Sequence, residues 1–246
     1  MNINTKLGLL HLFIWLGAIS SFFILSLTEW LICIFIGWIL GLVAQPVAIH
    51  RYFTHRAFET NRFWHHFLLL HAILACEGSP LMYKSIHIKH HRYTDQESDP
   101  HSPTHIGAIH TFFPFFRFLY SKPKNVEMNL LYARDLLRDT QHVFVNEHYF
   151  KIHFVYFATL LAINPILVYP FYIFTAWTAI LGGGFVNTFC HIKGRPDNVW
   201  IYTVLFGDGH HKYHHDNASD YRQPFPIWTN RSVSYTHLTL PTIYSV

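Results

Sequence analysis

Two apolar runs with two residues between them constrain this chain most: Leu7 to Leu27, then Trp30 to Ile49, separated by Thr28-Glu29. A spanning helix needs about 20 apolar residues, so the pair predicts a transmembrane hairpin. Lys6 precedes the first run as it would in a leader, but the run is long and has no A-x-A-like end, which argues against cleavage. A later apolar stretch, Phe150 to about Thr188, is broken at Asn164-Pro165 and carries Pro170. Proline inside a helix kinks or ends it, so this stretch reads as spans at 150–163 and 166–188 with a turn near Asn164 to Pro170. The expected fold is all-α and integral to a membrane, with four transmembrane helices in two hairpins and a helical cap between and after them. Composition agrees: 13% of residues are charged, against about 25% in soluble domains.

Charge placement orients the hairpins. The two proposed outer turns contain no Lys or Arg, whereas Lys6, Arg51, Arg56, Arg62, Lys84, Lys89, Arg92, Lys193 and Arg195 fall on the other side. The positive-inside rule then puts both termini in the cytoplasm. Between the hairpins, Arg62 to Cys76 is apolar but short and histidine-bearing, which suits an interfacial helix. Thr104 to Tyr120 is aromatic and interrupted by Pro114, and Lys122 to Asn146 is polar and expected to be helical. The three cysteines, Cys33, Cys76 and Cys190, lie in or beside apolar segments with no C-x-x-C, so no disulfide framework is expected. The tail Ser232 to Val246 carries no charged residue and resembles translated adapter sequence. The domain is therefore taken as 1–231, with 232–246 expected to be non-native.

Chemistry is carried by three histidine clusters: His50-Arg-Tyr-Phe-Thr-His55, His87-Ile-Lys-His90-His91 and His211-Lys-Tyr-His214-His215. In the last two the spacing i, i+3, i+4 puts three imidazoles on one helix face. In the first, i and i+5 stand about 140° apart on an α-helix, so both rings reach one ion only if the helix ends between them. Neutral imidazole is the commonest metal ligand. With His191, which follows the last span, nine histidines converge on the cytoplasmic membrane surface. That exceeds the four ligands of a structural zinc, and two ions is the economical count.

The order His50-x4-His55, His87-x2-His90-His91 and Gly207-Asp-Gly-His-His211-x2-His214-His215, with Asn187-x3-His191, resembles the membrane fatty-acyl desaturases. Thr94-Asp-Gln-Glu-Ser-Asp-Pro-His-Ser-Pro103 is similar to the stretch after the second box in their acyl-CoA Δ9 branch. The resemblance runs from about His50 to Tyr221. It implies a cytosolic di-iron cap over an acyl tunnel and an oxygen-dependent reaction that introduces a cis double bond, of Δ9 type, into a long fatty-acyl chain. One iron would be held by His50, His55, His87, His91 and His214. The other would be held by His90, His191, His211 and His215, with Asn187 hydrogen-bonding a water on it. O2 is the implied co-substrate. The acyl group could sit on CoA, carrier protein or lipid. The chain has no G-x-G-x-x-G after a strand, no C-x-x-C-H and no iron–sulfur cysteine set, so electrons are expected from outside it, and the resemblance implies a ferredoxin-like or cytochrome b5-like donor. Membrane lipids are expected around it, and no nucleic acid.

A methylene group offers no acidic proton and no polarised bond, so a metal–oxygen oxidant is the fitting chemistry. Asp95, Asp99, Asp208, Asp216 and Asp220 are candidates to orient ligand histidines through their second ring nitrogen, against an alternative of loop capping. Two departures bear on substrate form. His210 stands where the family usually has a bulky aromatic, and the segment between His191 and His211 is short. The remaining histidines, among them His11, His65, His66, His71, His142 and His153, are expected not to be ligands. Two other readings stay open: a di-iron hydroxylase with the same oxidant, and a histidine-rich metal transporter, whose ligands would lie near the bilayer midplane.

Overall fold

The computed structural model describes residues 3–115, 129–191, 208–209 and 211–220. Every regular element among them is helical. The first pair is α1 (Ile3–Ile24) and α2 (Leu27–Leu42). The expected turn at Thr28-Glu29 is displaced to Leu25-Ser26, for a local reason. Ser26 Oγ accepts from the Glu29 backbone N–H and the Glu29 carboxylate accepts from Ser26 N–H at 2.9 Å. This capping box draws Thr28 and Glu29 into the first turn of α2.

α2 does not stop at the membrane exit. It continues as a π-helix, Val43–Thr54, with Pro46 inside it. A proline there lacks an N–H and crowds the carbonyl four residues back, and a wider turn relieves both. His55 N–H donates to His50 O at 3.1 Å and Thr54 Oγ1 donates to Ile49 O at 2.7 Å, both spanning five residues.

The second pair begins with α8 (Thr140–Ile163), capped by Asp139. A 3-10 turn (Pro165–Leu167) and a π-helix (Tyr169–Ile173) lead into α9 (Phe174–Phe189). Pro170 sits in the π segment, as Pro46 does in the other. Among the described residues, three segments are long and apolar enough to cross a membrane: 3–24, 27–54 and 165–189. α8 is not among them, because Gln141, His142, Asn146, Glu147 and His148 make its first half polar.

Between the pairs lie α3 (Arg62–Leu74), α4 (Pro80–Arg92), α5 (Pro103–Ile106), α6 (Ala108–Phe112) and, after a 3-10 turn at Leu130–Ala133, α7 (Arg134–Leu137). α10 (His211–Asp216) closes the described chain. α3 buries Leu68, Leu69, Ala72 and Ile73 while Phe63 points out. Residues 116–128, and with them part of the two expected segments there, fall outside the described residues.

α2 and α9 form the spine that positions the centre. A Cβ at Gly37 would overlap Phe174, and one at Gly41 would overlap Thr178, so only glycine allows this approach. Thr178 Oγ1 donates to Gly37 O at 3.1 Å across the contact. The outward faces of α1 and α2 expose Phe13, Leu16, Phe23, Leu31 and Phe35, as a lipid-facing surface would.

Candidate metal centre

Four segments meet at one end of the α2–α9 spine. The π-helix brings His50 and His55; α4 brings His87, His90 and His91; the end of α9 brings His191; α10 brings His211, His214 and His215. The helix ends between His50 and His55, as the spacing requires, but it ends as a π-helix. The π-helix holds His50 and ends at Thr54 with His55 as its C-cap, and its five-residue hydrogen bonding sets positions i and i+5 on one face, their ring centroids 4.8 Å apart.

The nitrogens sort into two groups. His50, His55, His87, His91 and His214 form one; His90, His191, His211 and His215 form the other; within each, the nitrogens lie within 4.8 Å of one another. Each H-x-x-H-H helix is shared between them, and in reciprocal fashion. α4 gives its i, i+4 pair His87 and His91 to the five-histidine group and His90 to the other. α10 gives His211 and His215 to the four-histidine group and His214 to the other. Among the described residues no further histidine joins either group. His65 instead contacts Tyr52 Oη and Gln141, and His11 lies 2.8 Å from Cys76 O. His210 lies outside the described residues.

Three of the five candidate aspartates reach a ligand candidate. His50 Nδ1–H donates to Asp208 at 3.1 Å, His90 Nδ1–H to Asp99 at 2.8 Å, and His191 Nδ1–H to Asp95 at 3.1 Å. Asp216 accepts from Lys212 and Asp220 from Tyr213 Oη instead. A carboxylate can only accept, so these contacts place the proton on Nδ1 and leave Nε2 with its lone pair free. Thr94 Oγ1 lies 3.1 Å from His215 Nδ1, a contact for which the Thr94–Pro103 stretch gives no separate signal.

With those tautomers, a cation at the centre of each group accounts for the contacts better than ring protons do. In the four-histidine group, His211 Nε2 is 2.7 Å from His191 Nε2, His215 Nε2 is 3.2 Å from His90 Nε2, and His211 and His215 are 3.0 Å apart. The bare Nε2 atoms of His191 and His90 would need protons on both His211 and His215, and those two protons would then face each other. The five-histidine group meets the same obstacle. His214 Nε2 lies 3.0 Å from His50 Nε2 and 3.1 Å from His91 Nε2, which is 3.0 Å from His87 Nε2. No single proton on His214 serves both its contacts. The buried Nε2 of His55 has no hydrogen-bond partner at all. A central ion resolves every conflict, because each Nε2 then directs a lone pair at it. The spacing also fits: metal–imidazole bonds of about 2.1 Å at right angles put neighbouring nitrogens about 3.0 Å apart.

Electrostatics agree. Burial first, then the neighbouring imidazoles, hold His55, His87, His90, His91, His211 and His214 far below the ordinary histidine value, and His215 falls to about 4. The rings are therefore neutral and ligand-competent at neutral pH. Burial pushes the Asp208 carboxyl up, but Arg51 and His50 outweigh it and hold it below the usual carboxylate range. Asn187 lies on α9 one turn before His191, half-buried.

The chain is similar to several characterised proteins. It is 27% identical over 256 residues to an sn-1 stearoyl-lipid 9-desaturase of Anabaena variabilis, covering 92% of this chain and 86% of that one. It is 31% identical over 212 residues to an acyl-CoA C20 Delta5-desaturase of Anemone leveillei, covering 80% and 66%. A hex-5-enoyl-[acyl-carrier protein] acetylenase of Moorena producens is 27% identical over 208 residues, covering 72% and 63%. The chain belongs to the membrane fatty acid desaturase family. It is accordingly a membrane protein, in line with its three long apolar segments. No family model matches it. The chain spans about two thirds of the Anemone and Moorena proteins and most of the Anabaena one.

Proposed function

We propose that this chain is an oxidoreductase that desaturates a long fatty-acyl chain, using O2 and two irons held by the nine histidines, and forms a cis double bond of Δ9 type. The observation that supports this reading is the set of Nε2 atoms that converge in two groups, each of which a single cation would satisfy. Bound iron would supply an oxygen-derived oxidant strong enough for an unactivated methylene group. The protein's own part is positional. The π-helix and α4 present neutral rings, Asp208, Asp99 and Asp95 fix three of them in the ligand tautomer, and the apolar helices exclude water from the acyl chain. Asn187, one turn ahead of His191, completes the four-histidine side through a water. Electrons come from an outside donor, ferredoxin-like or cytochrome b5-like.

Four spans in two hairpins fit this function, α8 crossing with its apolar half, 150–163, and 165–189 returning. Both outer turns lack Lys and Arg, which supports a centre and termini on the cytoplasmic side. Relatives named for lipid, CoA and carrier-protein substrates bracket the acyl carrier. The test is the fatty-acid profile of a desaturase-deficient host expressing the chain. New mono-unsaturated chains, missing with His90→Ala, support desaturation and locate the bond. Hydroxylated chains would move the chain to the hydroxylase reading, and metal uptake without lipid change to the transporter.

A further inference from the structure

The two histidine groups differ in what stands behind their rings. Asp99 is fully buried; it accepts from His90 Nδ1–H and from the backbone N–H groups of His101 and Asp95, each at 2.8 Å. Asp95 accepts from His191 Nδ1–H. Among the described residues, no Lys or Arg forms an ion pair with either carboxylate. Asp208 is different. One of its oxygens accepts from His50 Nδ1–H, and the other accepts from Arg51 Nη2–H at 2.7 Å. Arg51 is 1% exposed and Asp208 2%, so water does not screen the pair.

A carboxylate behind an imidazole makes the ring a better donor and favours the higher oxidation state of its metal. On the four-histidine side two carboxylates act in this way, without a cationic partner among the described residues. On the five-histidine side the only such carboxylate among the described residues has its charge cancelled by the residue next to His50 in sequence. The same pair also ties the segment that leads into α10 to the end of the π-helix. Arginine suits this task because its fork stays charged when buried.

We infer that Arg51, through Asp208, is a positioning residue that sets the redox character of the five-histidine ion apart from that of the four-histidine ion, so that the two irons are inequivalent. This rests on the di-iron reading above. The test is redox titration of the purified, iron-loaded membrane protein, with Mössbauer spectroscopy of isotopically enriched iron to resolve the two ions.

Arg51→Gln leaves a naked carboxylate behind His50, and should shift the ferric-to-ferrous ratio of one ion toward ferric by about tenfold at a fixed potential. Asp208→Asn leaves a naked guanidinium and should shift the same ion the opposite way. The double variant carries neither charge and should return close to wild type. Arg51→Lys supplies the charge only as far as a buried ammonium stays protonated, so its shift should fall between wild type and Arg51→Gln. If Arg51→Gln does not accumulate, Asp208→Asn against the double variant carries the same test. Shifts in the same direction for both single variants, equal movement of both ions, or no shift would overturn the inference while leaving the di-iron reading intact. A wild-type chain that binds no iron would overturn the reading itself.

Discussion

α4 and α10 carry the same H-x-x-H-H pattern and serve the centre reciprocally, yet they are built very differently. α4 has 13 residues, begins on a Ser79 N-cap with Pro80 in its first turn, and buries Leu81, Met82, Tyr83 and Ile86 in the core. It holds its three histidines in place by ordinary packing. α10 has six residues, well under the length at which a helix is stable by itself. Of these, only His211 and His214 are buried. The contacts it makes from His211, His214 and His215 run to other histidines and to Thr94. One helix is a scaffold that presents ligands. The other is a segment whose order comes from the ligands it presents.

The largest effects come from removing one histidine of each helix. His90→Ala and His214→Ala each take a nitrogen from a different group and should reduce unsaturated product to background while the protein still inserts. Full activity in either variant, measured by acyl-chain mass spectrometry, would break the reciprocal arrangement. Chelation of metal from the wild-type protein sharpens the contrast further. Hydrogen exchange should then rise steeply in α10 and change little in α4, and equal loss in both would contradict the difference.

Acid should load both helices, because His87, His90 and His91 of α4 are held below 6.5 as well, and α10, which lacks the packing of α4, should give way first. A histidine whose folded value lies below 6.5 binds fewer protons folded than unfolded, so its contribution to stability is complete above pH 6.5 and drains as pH falls. Burial and the neighbouring rings bring His215 down to about 4 when folded and also hold His211 and His214 well below 6.5. Metal-free protein should therefore lose α10 protection between pH 6.5 and about 4 and regain it on return to pH 7. Protection that rises on acidification would show the sign to be wrong.

Smaller effects should fall on the helix that depends on packing. Ser79 Oγ accepts from Met82 N–H and donates to Asn146 Oδ1 at 2.6 Å. Ser79→Ala should cost about 1 kcal/mol, seen as a lower melting temperature in detergent, with iron content unchanged. Lys212→Ala removes the exposed Lys212–Asp216 pair of α10, and a shift of no more than about 0.5 kcal/mol is expected. A larger loss there would mean that α10 has local support beyond its histidines.

Much of this is legible in the residues. The nine histidines can be picked out because metal chemistry leaves a dense local pattern, and their partition follows the family resemblance. The apolar runs mark the long helices for an equally simple reason. Three things are not legible in the same way. The π-helix is hidden because α-periodicity sets His50 and His55 apart, although Pro46 four residues before His50 is a usable signal. The first hairpin turn falls three residues earlier than the apolar runs suggest, because Ser26 and Glu29 pair as a capping box. Arg51 reads as one more positive-inside charge, since nothing local to it announces Asp208, 157 residues away. Of the three aspartates that reach a ring, Asp208 and Asp95 are brought there by contacts distant in sequence, which spacing does not encode, while Asp99 reaches His90 through a turn nine residues long.

The most direct measurement is iron per chain in protein purified without oxygen, for wild type, His90→Ala and His91→Ala, with acyl product measured alongside. Two irons in wild type, about one in each variant and product only in wild type are predicted, because each substitution opens a different group. No iron in wild type, or two irons in all three, would contradict the claim that these histidines form a two-ion centre.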